Sequence, residues 1–192
     1  MRLPTLTASA LFAAALVAGP AMAENYAIDV KGAHAFIEFR IKHLGYSWLY
    51  GRFNRFDGQF SYDEKEPSRS TVAVTIETAS IDSNHAERDK HLRGPDFLNV
   101  EKHPEARFTT TSFEETADGK AVLKGNLFLN GHTRPIAIDV EHIGHGPDPW
   151  GGYRRGFLGT TRLALADFGI DYALGPQSRE VELTLSIEGI RQ

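Results

Sequence analysis

The amino-acid sequence predicts an all-β protein, an antiparallel sheet of about eight strands with one short helix inserted around residues 84–98. Seven short segments alternate apolar and polar residues, which is the pattern of strands that bury one face, and a threonine-rich segment adds an eighth. Asn130-Gly131 and Asp118-Gly119 stand between such segments and are typical of two-residue hairpins, which join antiparallel neighbours. Since each strand keeps one polar face, the apolar faces must meet each other. The sheet then forms a sandwich or a barrel, and we favour the eight-stranded antiparallel barrel because closure removes unpaired edges.

The first predicted strand lies in the segment 33–42, where Ala35, Ile37, Phe39 and Ile41 alternate with charged residues. A threonine-rich composition predicts a strand over 106–113. The same period-two alternation predicts the other six strands, at 56–62, 72–76, 123–129, 136–140, 157–165 and 181–187.

The segment 83–100 breaks this alternation. Asn84 followed three residues later by Glu87 resembles a capping box, and Gly94-Pro95 is a helix-ending pair. We therefore predict a helix over residues 86–93, kept in water at a rim of the barrel by its polar composition. The apolar pair Phe97-Leu98 follows it as a plug.

Residues 1–23 have the features of a bacterial secretory signal peptide. Arg2 precedes an apolar run from Leu6 to Ala18, and Ala21-Met22-Ala23 is an A-x-A cleavage site. The run is shorter than the ~20 residues that span a bilayer. With no cysteine there is neither a disulfide nor a lipid-attachment thiol. We expect residues 24–192 to form a single soluble domain in the periplasm.

The charge distribution argues against a nucleic-acid partner. The formal net charge of the chain is −4, and no basic cluster is larger than Arg154-Arg155. Binding to nucleic acid depends on clustered Lys and Arg that neutralise phosphates.

Large rings and glycines fall on the same predicted strand faces. The stretch 45–62 is rich in aromatic residues, and Gly58 stands in phase with its rings. Gly125 and Gly159 likewise share the inner phase of their strands. Such glycines either leave a lumen open for a ligand or relieve crowding at bends and bulges. Both interpretations stay open at this point.

Several stretches together resemble the YceI-like family of periplasmic polyisoprenoid-binding proteins. They are "HAFIEFRIKHLGYSWLYGRFNRFDGQFSYD", "SIDSNHAERDKHLRGPDFLNVEKHPEARFTTTS", "GNLFLNGHTRPIAIDVE", "DPWGGYRRGF" and "ADFGI". The resemblance covers nearly all of residues 24–192. It implies a single lipid-binding domain, an extended lipocalin-like barrel whose tunnel holds a long isoprenoid lipid, such as the tail of an isoprenoid quinone. Leu98 departs from the second phenylalanine common in the family.

The resemblance implies a binding and transport protein rather than an enzyme, with no catalytic residue, metal or cofactor besides the bound lipid. We expect Phe97 and Leu98 to close or gate one mouth, and Phe128, out of phase with its neighbours, to point outward. The predicted ligand-binding residues are Phe39, Ile41, Trp48, Tyr50, Phe56, Phe60, Phe97, Leu98, Phe108, Leu127, Leu129, Phe157 and Leu163.

A metal-dependent hydrolase is a weaker alternative. His85, Asp89, His91 and His103 form one candidate group, and the run 142–148 holds a second with two histidines and an aspartate. Neither has a specific zinc spacing, and no G-x-S-x-G elbow or cysteine nucleophile is present.

A third class is an interaction or stress protein that binds no lipid and docks through exposed aromatics. The segment 42–48 is predicted as a loop, so Trp48 and Tyr50 are candidates for contact with a membrane or a respiratory membrane protein. Uncovered strand edges or an apolar mouth would also favour a homodimer.

Overall fold

The computed structural model describes residues 23–117, 119–172 and 174–192. The predicted signal peptide, apart from Ala23, lies outside these residues, as does Asp118 of the second hairpin pair. No helix within the described ranges is long and apolar enough to cross a membrane.

The described residues form eleven strands, one α-helix and four short 3-10 helices. The strands and the α-helix are β1 (Glu24–Ile28), β2 (Phe36–His43), β3 (Ser47–Phe53), β4 (Phe56–Tyr62), β5 (Thr71–Glu77), β6 (Ile81–Asp82), α1 (Ala86–Arg93), β7 (Glu105–Ala117), β8 (Lys120–Leu129), β9 (His132–Pro147), β10 (Tyr153–Ala164) and β11 (Glu180–Arg191). The 3-10 helices are Pro67–Arg69, Thr78–Ser80, Leu165–Phe168 and Pro176–Ser178.

Eight of the described strands close into an antiparallel barrel, in the order β1-β4-β5-β7-β8-β9-β10-β11, with β11 pairing back onto β1. The predicted fold class is therefore confirmed. The branch β2-β3-β6 adds to β11 on the side away from β10. β1 pairs with the end of β11 at Gly189–Arg191, whereas β2 pairs with Ser186 to Val181. β1 and β2 thus lie one after the other along β11, at opposite ends of the barrel.

The turn chemistry explains the hairpin between β8 and β9. Asn130 and Gly131 have φ values of 47° and 79°, the positive range that a two-residue type I′ turn needs. The Asn130 amide also donates to the Phe168 carbonyl at 3.0 Å. The hairpin predicted from Asn130-Gly131 is confirmed.

The helix has its predicted bounds but a different N-cap. His85, not Asn84, precedes the first helical residue, and its ring Nδ1 accepts the amide of Arg88 at 3.2 Å. Asn84 instead adopts the left-handed conformation with φ of 61°, one residue before the cap. The helix ends at Gly94, as predicted.

Three strands were not predicted. β1 stands at the predicted start of the mature chain, where the sequence predicts no strand, although Tyr26 in it is fully buried. The segment predicted as a loop is a tight turn at Leu44–Tyr46 followed by β3. β6 has two residues, too few for any periodicity to show.

Candidate functional site

Within the described barrel, two adjoining cavities form one apolar tunnel. The inner chamber has a volume of about 140 Å³ and the outer chamber about 440 Å³. Their walls share four aliphatic residues, Ile37, Ile76, Leu127 and Leu183, which form a waist between them. The inner walls include Phe60, Phe108, Val140, Phe157, Leu185 and Ile187. The outer walls include Phe39, Phe53, Phe97, Leu98, Leu129 and Ile170.

The strand β11 gives the order of features along the barrel axis. Val181 lines the outer chamber, Leu183 the waist, and Leu185 and Ile187 the inner chamber. Gly189 then pairs with Arg155 at the far end. At about 3.3 Å per residue, the tunnel side chains follow one another over roughly 20 Å. A long, narrow apolar molecule fits this shape.

The tunnel opens at the outer chamber. Every wall residue of the inner chamber is buried or half-buried. The outer chamber has exposed wall residues at Lys42, His43 and Leu44, at the end of β2, and at His91 on α1. The mouth therefore lies between the β2–β3 turn and the helix.

A buried arginine, Arg155, plugs the end of the barrel opposite the mouth. Arg155 is 1% exposed, and its guanidinium carbon lies 4.3 Å from the centre of the Tyr62 ring. It donates to the Tyr26 hydroxyl at 3.2 Å and forms an ion pair with Glu64. The His142 ring lies 3.4 Å from one of its terminal nitrogens. The hydrogen bond, the ion pair and the aromatic ring compensate the buried charge of Arg155. Arg155 therefore closes this end of the barrel without needing water.

The titratable groups around the Arg155 plug each keep one protonation state at neutral pH. Burial, and then the hydrogen bond to Glu115, raises the pKa of Tyr62 to about 12. Burial, and then the charge of Arg155, lowers the pKa of His142. Burial opposes the charge of Arg155, but hydrogen bonds with Tyr26 and Glu64 outweigh it and raise the Arg155 pKa. The tyrosines and His142 are therefore neutral beside a charged arginine.

Two arginines of α1 hold the helix against the chain that precedes it. Arg93 donates to the carbonyls of Ala79 at 2.8 Å and Ile81 at 2.7 Å. Arg88 donates to the Ser83 hydroxyl at 2.7 Å and to its carbonyl at 2.6 Å. These bonds place the turn after the helix, with Phe97, over the outer chamber.

Comparison with known proteins agrees with this architecture. The model of the YceI-like domain matches residues 26–189. The chain belongs to the YceI-like family. A UPF0312 protein of Pseudomonas aeruginosa is 62% identical over 98% of both chains. A UPF0312 protein of Serratia proteamaculans is 58% identical over 97% of this chain and 95% of its own.

Solved structures share the barrel. The YceI protein of Campylobacter jejuni has a TM-score of 0.71 and 26% identity, covering 79% of this chain and 90% of its own. BcnA of Burkholderia cenocepacia has a TM-score of 0.74 at 18% identity, covering 84% of this chain and 98% of its own. A polyisoprenoid binding domain from Saccharophagus degradans has a TM-score of 0.63 at 14% identity, covering 87% and 98%. The last two show the fold alone.

Ten of the thirteen predicted ligand-binding residues of this YceI-like chain lie in the tunnel wall. Phe60, Phe108 and Phe157 line the inner chamber, and Leu127 lies at the waist. The outer chamber holds the other six, Phe39, Ile41, Phe97, Leu98, Leu129 and Leu163. Whether they contact a ligand stays a prediction.

Two of the predicted tunnel residues lie on the outer face of the sheet, so their assignment to the lumen was wrong. Trp48 pairs with Lys42 across β2 and β3, and the Arg40 guanidinium carbon lies 4.3 Å from the centre of its ring. Tyr50 is 61% exposed. The alternation of β3 turns Leu49 and Phe53 inward instead, and these line the outer chamber.

Phe56 is half-buried and packs against the barrel core, outside the walls of both chambers, so its assignment to the lining was also wrong. Phe128 lies under the guanidinium carbon of Arg107, 5.0 Å from the ring centre, on the face opposite its inward neighbours Leu127 and Leu129.

The inward glycines make room for rings of neighbouring strands. A side chain at Gly125 would run into the Phe108 ring, and one at Gly189 into the Phe60 ring. Gly51 is covered by Phe39 in the same way. Relief of crowding is thus the physical role of these glycines, and the tunnel exists beside them.

The histidine groups considered for metal binding have other partners. His85 caps α1, Asp89 accepts from Ser83, and Asp148 accepts from Arg154. Among the described residues, Asp29, His34 and Glu188 bring three ligand atoms within 4.8 Å of one another. The Arg154 guanidinium forms ion pairs with both carboxylates, so a cationic side chain already neutralises this group.

The Arg155 plug and part of the outer wall were not predicted from the sequence. Arg155 stands in the inward phase of β10 with Phe157 and Gly159, so the alternation of this strand indicates that its side chain points inward. Ile170 and Leu174 come from irregular chain after β10, where no periodicity exists.

Proposed function

We propose that this protein is a periplasmic carrier that holds a long-chain isoprenoid lipid, such as an isoprenoid quinone, in the barrel tunnel. The observation that carries the proposal is the apolar tunnel with one mouth and one sealed end. Isoprenoids are long, narrow and almost wholly apolar, which is the shape and polarity of the two chambers. The YceI-like family and the polyisoprenoid binding domain with the same fold support the same ligand class.

The capacity of the tunnel suggests the length of the enclosed chain. A cavity of ~150 Å³ lined by aliphatic and aromatic side chains holds one benzene, about six carbon atoms. By that measure the inner chamber, at about 140 Å³, takes about one five-carbon isoprene unit. The outer chamber, at about 440 Å³, takes about three. A longer chain would extend through the mouth or widen the barrel.

A carrier must also release its ligand. Burial contributes ~0.8 kcal/mol per CH₂, so a chain of ~20 carbons would gain ~16 kcal/mol, a dissociation constant of about a picomolar, if water were the alternative. The alternative in a cell is a membrane, where the chain is equally well buried. Enclosure, rather than many specific contacts, is therefore what transport requires of the protein.

The mouth is the surface we propose for transient contact with a membrane or a respiratory membrane protein. The β2–β3 turn carries Leu44, 55% exposed, and Tyr46, 87% exposed, beside the exposed Lys42 and His43. Apolar and aromatic side chains next to a lysine suit a lipid interface. Docking through Trp48 and Tyr50, which lie on the outer face, stays a prediction. Export through residues 1–23 belongs to the same proposal, and a homodimer stays a prediction.

The test is native mass spectrometry of protein purified from the periplasm of its own host, followed by organic extraction. We expect a stoichiometric isoprenoid to be released. A different long-chain lipid would keep the carrier function and discard the isoprenoid. A folded protein that is empty and takes up no added lipid would refute the proposal and favour an interaction protein.

A further inference from the structure

Among the described residues, the inner chamber has no polar side chain without a hydrogen bond. Four side chains with hydroxyl groups line it, and each already has a hydrogen bond: Tyr62 with Glu115 at 2.5 Å, Ser61 with Thr71 at 2.8 Å, Ser70 with the Asp63 amide at 3.3 Å, and Thr161 with the Ala137 carbonyl at 2.7 Å. A polar head group placed there would lose its water and meet only hydroxyl groups that already have partners. That loss disfavours an uncharged polar group in the inner chamber and disfavours an ion still more strongly.

Hydrogen-bond donors instead converge at the mouth. His43 is the last residue of β2, in the inward phase of Ile37, Phe39 and Ile41, and lines the outer chamber. Arg88 and His91 lie one helical turn apart on α1 and line the same chamber.

The donors at the mouth are only partly used within the part of the chain that the structure describes. The His43 ring makes no hydrogen bond there. Arg88 uses Nε and one terminal nitrogen on Ser83 and leaves the other terminal nitrogen free. His91 lies 3.1 Å from Asp96.

Charge at the mouth has one predominant sign. No Asp or Glu is among the described wall residues of the outer chamber. Two carboxylates beside these donors are engaged, Asp96 with His91 and the buried Asp89 with Ser83. The Lys42 ammonium lies over the Trp48 ring at 5.1 Å, on the outer face, and adds positive charge from outside.

From this distribution we propose that the ligand lies tail-inward, with a head that accepts hydrogen bonds held at the mouth by Arg88 and His43. The head class is an oxygen acceptor, either a carboxylate or phosphate or the carbonyl or hydroxyl oxygen of a quinone or phenol. A cationic head is disfavoured. The inference rests on the proposed function, because it assumes that the tunnel binds a lipid chain.

The first experiment compares head groups on one chain. Calorimetric titrations below the micelle concentration use hexadecanoic acid, a quinone with a sixteen-carbon chain, and hexadecyltrimethylammonium. We expect both oxygen heads to bind at least tenfold more tightly than the ammonium, since one charge-assisted hydrogen bond contributes about a factor of ten. The ratio between acid and quinone then distinguishes an anion from a carbonyl as the better head.

The matched variants are R88Q and H43A at the mouth and K90Q as the control. Lys90 is an exposed cation of the same helix and lies outside the chamber wall. R88Q and H43A should each weaken binding of the acid by about tenfold and leave the ammonium unchanged, whereas K90Q should change neither. Because Arg88 also anchors the helix, H43A keeps the test valid if R88Q fails to fold. If K90Q and H43A changed the affinity for the acid equally, the proposed head site would be wrong.

The second experiment locates the two ends of the chain. Fatty-acid probes carry a diazirine at the terminal carbon or next to the carboxylate, and cross-linked peptides are identified by mass spectrometry. The terminal probe should label β4 and β10 near Phe60 and Phe157, and the head-proximal probe residues 42–44 or 88–98. The reverse pattern would overturn the orientation while supporting the proposed function. Failure of every probe to bind would refute the proposed function and this inference with it.

Discussion

Filling the inner chamber should shorten the chain that the protein binds. Val74 is half-buried and lines the inner chamber only, beside Gly58. In Val74→Phe the added ring enters the cavity of about 140 Å³, where it displaces about five carbon atoms of a bound chain. At ~0.8 kcal/mol per CH₂, the lost burial is at most ~4 kcal/mol, or about a thousandfold in affinity.

The assay compares two isoprenoid alcohols of fifteen and twenty carbons by calorimetric titration. The shorter alcohol fits the outer chamber, and the longer one reaches through the waist. In the unmodified protein the longer alcohol should bind more tightly by up to about a thousandfold, and Val74→Phe should reduce that advantage to less than about tenfold. Binding of the shorter alcohol should not change.

Val122→Phe is the matched control. Val122 is half-buried on the outward phase of β8, opposite Glu114 and Asp139, so the same ring added there leaves the tunnel intact. A Val74→Phe protein that is folded and keeps the full chain-length advantage would refute the assignment of the inner chamber to the tail.

Four further outcomes follow from the packing and the charges. Phe60→Ala should lower the free energy of unfolding by about 3–5 kcal/mol in urea titrations, since Phe60 is 5% exposed and stacks on Tyr26 at 4.8 Å; a loss under about 1 kcal/mol would contradict this packing. Phe97→Ala should mainly speed lipid exchange in a stopped-flow assay, because Phe97 lines the outer chamber beside the mouth; unchanged exchange and unchanged retained lipid would exclude a gate. Tyr50→Ala should leave the amount of retained lipid unchanged, because Tyr50 lies on the outer face. Less lipid extracted from this variant would indicate that Tyr50 lines the lumen after all. Hydrogen bonds from His34 and then Arg154 lower the pKa of Asp29 from 3.8 to about 2, so Asp29 stabilises the fold fully above pH 3.8 and loses this effect as pH falls through about 2. Asp29→Asn should therefore cost about 2 kcal/mol at pH 7 and progressively less in urea titrations toward pH 2, and a pH-independent difference would contradict the linkage.

The barrel strands were predictable because each long strand repeats its pattern several times. In β11, four inward apolar residues from Val181 to Ile187 fix the face without knowledge of any neighbour. Asn130-Gly131 fixed one pairing because few residues tolerate its positive φ values. Both signals are local.

The orientation of β3 was missed because large rings stand on its outer face. Their size and aromatic character favour Trp48 and Tyr50 as lining residues. They nevertheless pair with Lys42 and Arg40 on the outside of the sheet. The inward residues Leu49 and Phe53 are separated by Gly51, whose space is filled by Phe39. That relation depends on a contact between two strands and cannot be seen in one segment.

The sealed end was missed for a related reason. An arginine in the inward phase of a strand is unfavourable unless several partners surround it. Tyr26, Tyr62 with Glu64, and His142 come from three separate parts of the chain, and only the closed barrel brings them to Arg155. The alternation of β10 puts Arg155 on the inward face, but nothing in the sequence identifies the residues that surround its guanidinium.

The most direct test of the tunnel is a crystal structure of the protein purified from its host without detergent. We predict continuous elongated density that enters between His43 and His91, passes the waist at Leu127 and Leu183, and ends beside Phe60 before the Arg155 plug. A barrel whose chambers are filled by rearranged side chains, with bound lipid found only on the outer surface, would contradict the carrier function.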